Sequence, residues 1–485
     1  MPRRTVFPLP QPLFDEPTFS EGKPTPDPTR FAVPHPSDTQ LYQKIQELLY
    51  EDVVGFPISR SPPGGVYSLE SAWGPHGAEV VAGAQAAGHI VFHMVGDIGA
   101  STASKYAGEI RVSDAISNDC QSSPATDRPV FLYLLGDVVY DFGEAQYYYD
   151  QFYEPYRNYP APIFAIPGNH DSFVVPGTPS SSAPLLTFQR NFCAPEPVVT
   201  PEAGSLHRTA MTEPGVYFAL DAPFVRILGL FSNALEDPGV ISSEEGKWTA
   251  IPDYQLDFLT AQLSRIRSEN YTGAVLLATH HPPFNYAPPA GASGAGGIHG
   301  GSPDMLAQID AICKAQGVYP HAFLSGHAHN YQRYTRTVAL SGSPYEVPFI
   351  VCGDGGHAVD RLVQAKLGSP AEEPANGTDV SYLDTNPAVA ASGLVLERHD
   401  DQDYGYLRVS VTSSTLTFGF YQVGPGAAPS QPADSVSVDL PSHTIVPSDG
   451  STAHAPVQRS QKRQGSSPRR SPSRPSGRSR SRRGS

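Results

Sequence analysis

Five short motifs carry side chains able to bind metal ions and move protons. They are Gly96-Asp97-Ile98-Gly99, Gly136-Asp137-Val138-Val139-Tyr140, Gly168-Asn169-His170-Asp171, His280-His281-Pro282 and Gly326-His327-Ala328-His329. Their candidate metal ligands Asp97, Asp137, Tyr140, Asn169, His280, His327 and His329 are all oxygen or imidazole donors. Such a set suits first-row transition metals rather than a soft thiolate site or an all-oxygen calcium cage. Taken singly, each motif has a bland reading. Gly-Asp after a strand is usually a turn, a tyrosine is usually a half-buried aromatic, and paired loop histidines need no metal. Their joint occurrence, one after each of five strand-like segments, points to a site. Three neighbours are candidates for proton handling or support: His170 beside Asn169, Asp171 as a partner orienting His170, and His281, which reads more as support than as catalyst.

Bringing these side chains together requires strands whose ends lie side by side. The runs HIVFHMV (89–95), VFLYLL (130–135), PIFAI (162–166), AVLLAT (274–279) and AFLS (322–325) are strand-length, rich in β-formers, and stop at the five motifs. VRILGLF (225–231) and PFIVC (348–352) are further strands of the same kind. Open α/β sheets bind ligands beyond the carboxyl ends of their strands, where all five motifs fall. Helical spacing over Gln255–Ile266 and Met305–Ala315 between strands indicates an α/β layered fold. Two alternating runs, 404–412 and 414–423, read as a closing hairpin. Residues 172–215 and 287–303 are loop-rich insertions, the second nearly all Gly, Ala and Pro and a candidate lid. The domain reading is a Pro-rich N-terminal arm over 1–87 with one helix at Thr39–Val53, a catalytic body over 88–423, and a tail over 424–485. That tail is Pro/Ser-rich, then Arg/Ser-rich, and cannot build a core.

Charge is unevenly placed. Residues 451–485 hold ten Lys/Arg and no acid, leaving 23 Lys/Arg against 48 Asp/Glu in the rest. An acidic body argues against a nucleic-acid-binding core and favours capture of cations. Cys120, Cys193, Cys313 and Cys352 have no zinc-type spacing and read as buried thiols. No apolar run has the length of a signal peptide or a membrane span, so a cytoplasmic protein is the default expectation.

The motifs together resemble the calcineurin-like metallophosphoesterase superfamily, and within it the purple acid phosphatases. Most of that superfamily has Asp-x-His in the first motif. Here position 99 is Gly, as in the purple branch, which supplies a tyrosinate from the second motif, where Tyr140 stands. Gly353-Asp354-Gly355-Gly356, Tyr331 and Arg333 also match, and the resemblance spans roughly 88–360. It implies an α/β (α+β) fold, a four-layer αββα sandwich of two mixed β-sheets flanked by helices. It also implies two metal ions, iron(III) held by Asp97, Asp137, Tyr140 and His329, and a divalent zinc, manganese or iron held by Asp137, Asn169, His280 and His327. Metal-bound hydroxide would then attack phosphorus in line in a phosphorylated small molecule, a phosphate monoester, with His170 assisting. The chain departs from the pattern at Leu277, where Val is usual. It lacks an equivalent of the paired phosphate-binding histidines of plant members, for which His299 is the nearest candidate. Residues 1–87 do not supply the seven strands of those members' N-terminal β-sandwich. Pro167 stands where Ser/Thr protein phosphatases have Arg. Two alternatives stay open: a phosphodiesterase or nucleotide hydrolase on the same metals, or a non-catalytic protein binding nucleic acid through 456–485.

Overall fold

The computed structural model describes residues 65–172, 185–204, 206–365, 371–425 and 431–447, together with Pro17, Phe19 and Glu47. Glu47 is helical; the rest of the helix expected at Thr39–Val53, and the Arg/Ser tail, lie outside the described residues.

Two mixed sheets face each other. The first has the strand order Val66–Ser68, Phe218–Ala222, Val225–Gly229, Ala274–Ala278, Ala322–Ser325, Ser343–Cys352, Tyr331–Leu340, Ala390–Asp400 and Thr378–Asp379. Its centre is parallel, with Leu228 opposite Leu277 and Leu277 opposite Phe323; its far edge is antiparallel. The second sheet runs Thr444–Val446, Asp434–Asp439, Thr415–Val423, Tyr404–Thr412, His89–Val95, Leu132–Leu134 and Ile163–Ala165. Its last three strands are parallel, with Met94 opposite Tyr133 and Tyr133 opposite Phe164. Central strands of this kind are covered on both faces, so they read as unbroken apolar runs rather than alternating ones. Ile90–Val95 is buried at every position.

Aromatic contacts weld the sheets: Phe164 and Tyr133 meet Phe218 with ring centres 6.4 and 6.2 Å apart, and Tyr331 stacks on Phe420 at 3.8 Å. Helices cover the outer faces. Tyr254–Ser268 buries Phe258, Leu259, Leu263 and Ile266, spaced along one helical stripe. Pro303–Gln316 starts with proline in its first turn and stops at Gly317 in the left-handed conformation (φ 66°), the usual start and stop chemistry. Ala103–Ser122, on the second sheet, is capped by the Thr102 hydroxyl accepting from the Lys105 amide. The expected αββα sandwich is therefore present. No helix among the described residues is long and apolar enough to cross a membrane.

Described elements extend past the expected 88–423 limits at both ends. Val66–Ser68 and Gly77–Ala87 lie before residue 88, and Asp434–Asp439 extends the closing hairpin by pairing with Thr415–Phe420. The segment 287–303, read as a candidate lid, is tied down. Ala295–Gly296 pairs with Val363–Gln364, the Gly300 amide donates to Asp237 at 2.7 Å, and the Asn285 amide donates to the His299 carbonyl at 2.7 Å. All four cysteines are free thiols.

Candidate metal centre

Parallel strands from both sheets end on one edge, and the turns after them deliver all seven expected donors to one buried place. Three of these donors, Asp97, Asp137 and His327, sit at left-handed φ of 58°, 54° and 69°. The chain turns sharply as each strand ends, which swings the side chain inward at a local conformational cost typical of functional sites. Glycines permit the crowding. A Cβ at Gly168 would lie 2.1 Å from Asp137 Oδ1, and one at Gly326 would lie 2.5 Å from Asp97 Oδ2.

The donors fall into two clusters. In one, His280 Nε2 lies 2.9 Å from Asn169 Oδ1, 3.3 Å from Asp137 Oδ2 and 3.3 Å from His327 Nδ1, which is itself 3.1 Å from Asn169 Oδ1. In the other, the Tyr140 hydroxyl lies 3.1 Å from Asp97 Oδ1 and 3.3 Å from His329 Nε2, and that nitrogen lies 3.5 Å from Asp97 Oδ1. Asp137 belongs to both, because its carboxylate also engages the Tyr140 phenol. Spacings of 2.9–3.5 Å between donor atoms match the edges of a shell with bonds near 2.0–2.2 Å.

Hydrogen bonds outside the clusters fix which way His280, His329 and Asn169 face. His280 Nδ1 sits 2.8 Å from the Leu135 carbonyl and so carries a proton there, turning Nε2 into the site. His329 Nδ1 sits 2.9 Å from Asp360 Oδ2 and turns its Nε2 inward in the same way. The Asn169 amide NH2 donates to Glu236 at 3.4 Å, which aims its oxygen inward. Burial pulls the His280 imidazole down, but Asp137 outweighs it and raises the group to about 9. Burial opposes protonation of His329 as well, yet Asp360 and Asp97 raise it to about 10. These carboxylates favour positive charge in the space between the donors. Burial, with Asp137 and Asp97 beside it, pushes the Tyr140 phenol far up, so only a strong positive charge next to it would ionise it.

The residues expected to assist the donors separate. His170 borders the centre: its Nδ1 is held 2.8 Å from the Asp141 carbonyl, its Nε2 is 4.0 Å from Asp137 Oδ2, and its ring lies tilted beside Tyr140 with centres 4.2 Å apart. Asp171 does not orient His170. Its carboxylate accepts from the Val138, Val139 and Gly168 amides, bracing the second motif against the third. His281 turns away from the centre, with Nδ1 2.8 Å from Ser232 Oγ and Nε2 2.7 Å from the Leu235 carbonyl. Burial holds it neutral by lowering it to about 3. A buried imidazole using both nitrogens this way is structural: His281→Ala should cost about 2–4 kcal/mol of unfolding free energy in a urea titration. Its kcat should fall less than about tenfold at a temperature where the variant is folded.

Several groups at the site escaped the sequence reading. Asp360, Glu236 and Asp237 come from loops with no recognisable motif. His357 follows Gly353-Asp354-Gly355-Gly356; its ring stacks on Tyr140 at 3.5 Å, and it bonds the Gly99 carbonyl at 2.6 Å and Lys105 on its other nitrogen. His299, an undecided loop histidine in sequence, places its ring 4.2 Å from His327 and 5.1 Å from His329. The candidate donors were found as polar residues in the turns just after strands; Asp360, Glu236, Asp237 and His299 lie farther along their loops, whereas His357 follows Gly356 in the turn after Ser343–Cys352 and carries the same signal.

The sequence profile of the calcineurin-like phosphoesterases matches residues 91–331, the stretch that contains every donor named above. That stretch is a calcineurin-like phosphoesterase domain. Among solved structures similar to this calcineurin-like phosphoesterase is a purple acid phosphatase, PPD1, from yellow lupin (Lupinus luteus) seeds. The TM-score is 0.44 at 15% identity, over 72% of this chain and 54% of that one. Others are GAP50, the anchor in the inner membrane complex of Plasmodium (0.42, 11%, over 73% and 89%), and PhoD (0.42, 13%, over 74% and 71%). The chain thus spans about half the length of the lupin protein. No curated protein matches it.

Proposed function

We propose that this phosphoesterase hydrolyses phosphate monoesters at a two-metal centre of the purple-acid-phosphatase kind. One observation carries the reading: His280 Nε2, His327 Nδ1, Asn169 Oδ1 and Asp137 Oδ2 converge through contacts of 2.9–3.3 Å, with His280 and Asn169 held from behind so that a lone pair of each faces the others. Acceptors packed so closely repel one another unless positive charge stands among them. A proton on His280 Nε2 alone leaves the His327 Nδ1 lone pair facing the Asn169 oxygen at 3.1 Å, and a second proton on His327 Nδ1 sets two N–H groups against each other at 3.3 Å. A cation satisfies all four at once. The donor set therefore fits two metals, Asp97, Asp137, Tyr140 and His329 holding one and Asp137, Asn169, His280 and His327 the other. Three anionic oxygens, one a phenolate, favour a hard trivalent ion such as iron(III) in the first position. One shared carboxylate, an amide and two imidazoles suit zinc, manganese or iron(II) in the second.

When bound, such a pair lowers the pKa of water and neutralises charge on the phosphoryl oxygens. The chain's own groups do the rest. Asp171 holds the second and third motifs in register, Asp360 and the Leu135 carbonyl set the imidazole tautomers, and the Asp141 carbonyl turns His170 toward the bridging Asp137. From there His170 can deliver a proton to the leaving oxygen of an ester lying across the centre.

The test of the first position is spectroscopic. Iron-loaded protein should show a visible tyrosinate-to-iron band, and Tyr140→Phe should abolish it. Unchanged colour in Tyr140→Phe removes Tyr140 from the ligand set. Turnover of an aryl monoester faster than a bis-aryl diester supports the monoester reading, and the reverse order replaces it with a diesterase.

A further inference from the structure

The rim on the His280/His327 side of the centre is acidic and rich in acceptors. Glu236 and Asp237 come from the loop after Val225–Gly229, with side chains 30% and 32% exposed, so both reach solvent. Asp237 Oδ1 lies 3.7 Å from His327 Nε2, and Glu236 Oε1 lies 3.4 Å from His299 Nδ1. His299, only 6% exposed at its side chain, hangs over the two halves of the centre from the tied glycine-rich segment. Neither of its ring nitrogens has a hydrogen-bond partner among the described residues. Asp360, 36% exposed, closes the far side beyond His329.

A buried imidazole whose ring nitrogens make no hydrogen bond normally marks a place for a ligand. Ringed by carboxylates, this one faces a place that repels anions and welcomes a group with N–H donors and positive charge. A phosphoryl group is drawn in by the metals themselves, so the rim acts on whatever the phosphate is attached to. Recognition of a quaternary ammonium relies on aromatic faces, whereas this rim offers carboxylate oxygens and ring nitrogens, which suit a primary ammonium.

Resting on the phosphoesterase reading above, we propose that Glu236, Asp237 and His299 form a subsite for a primary ammonium on the leaving group. The preferred substrates are then phosphate monoesters of amino alcohols. Hydrolysis transfers the phosphoryl group to water and releases the amino alcohol, its alkoxide oxygen taking up a proton.

The experiment compares 2-aminoethyl phosphate with its isostere n-propyl phosphate, using metal-loaded full-length protein and 4-nitrophenyl phosphate as reference. The wild-type kcat/KM should favour the ammonium ester by about fivefold, the upper scale of one partly exposed charge pair. That preference should shrink as salt rises and should approach one in the Glu236→Gln/Asp237→Asn double variant. Should the double variant fail to fold, the salt series in the wild type decides. Equal turnover of the two alkyl esters overturns the subsite and leaves the phosphoesterase standing, as does cleavage of 4-nitrophenyl phosphate alone. If millimolar calcium brings the propyl ester to the level of the ammonium ester, the rim serves a free inorganic cation and the proposal falls. Failure to cleave any of the three esters sinks the phosphoesterase reading and the subsite together.

Discussion

Asp137→Asn should lower kcat/KM by on the order of 10⁴-fold and leave the purified protein deficient in both metals. Among the described residues, no other candidate donor belongs to both clusters. One Asp137 oxygen accepts from the His170 amide at 2.9 Å, and the other faces His280 Nε2 at 3.3 Å. The same carboxylate engages the Tyr140 phenol. An asparagine keeps the shape but replaces one oxygen with a donor, which would point at an imidazole nitrogen or a phenol where a cation belongs. The change removes a negative charge from both metal positions at once, so the loss should exceed that from replacing a ligand of one metal, such as Asn169. Metal content per chain, measured beside activity, checks it. A variant that keeps two metals and more than a tenth of wild-type activity would show that Asp137 does not bridge.

The second large effect belongs to His170. His170→Ala should keep its metals yet lose about 10²–10³-fold in kcat on alkyl esters, within the range of a lost general acid. With 4-nitrophenyl phosphate, whose leaving group needs little protonation, the loss should be much smaller. The structural basis is the held ring: Nδ1 is anchored to the Asp141 carbonyl at 2.8 Å, and the side chain retains 14% exposure at the edge of the centre. Equal losses on both kinds of ester would mean that His170 supports Asn169 or the phosphoryl group rather than the leaving oxygen.

Much of this centre was legible because central parallel strands announce themselves. His89–Val95 and Ala322–Ser325 appear at the bounds read from their apolar runs, and the helices Tyr254–Ser268 and Pro303–Gln316 differ by a few residues at their ends. Strand ends fix where a motif emerges, so recognising the strands located the seven candidate donors that the fold brings together. The far edge of the first sheet was not legible. Tyr331–Leu340 and Ala390–Asp400 mix charged, small and apolar residues, and their pairing is broken by register shifts at Arg333/Tyr334 and Thr337/Val338, which blur a two-residue period. Ala103–Ser122 is rich in Ser, Asp and Asn and presents no strong apolar stripe, though it packs along the second sheet. The groups that orient the ligands were hidden for another reason. Asp360 meets His329 across 31 positions of sequence, and Glu236 meets Asn169 across 67, so neither contact leaves a local pattern. The misassigned partner of His170 is of the same kind: adjacency suggested Asp171, whereas the fold turns that carboxylate onto three backbone amides and gives His170 a carbonyl from the preceding loop.

The most direct measurement is an anomalous-scattering map of crystals of the metal-loaded protein. Two peaks roughly 3.5–4 Å apart, with Asp137 between them, are predicted, one within bonding distance of Tyr140 and the other of Asn169. A single peak, or two peaks that do not share Asp137, would contradict the account.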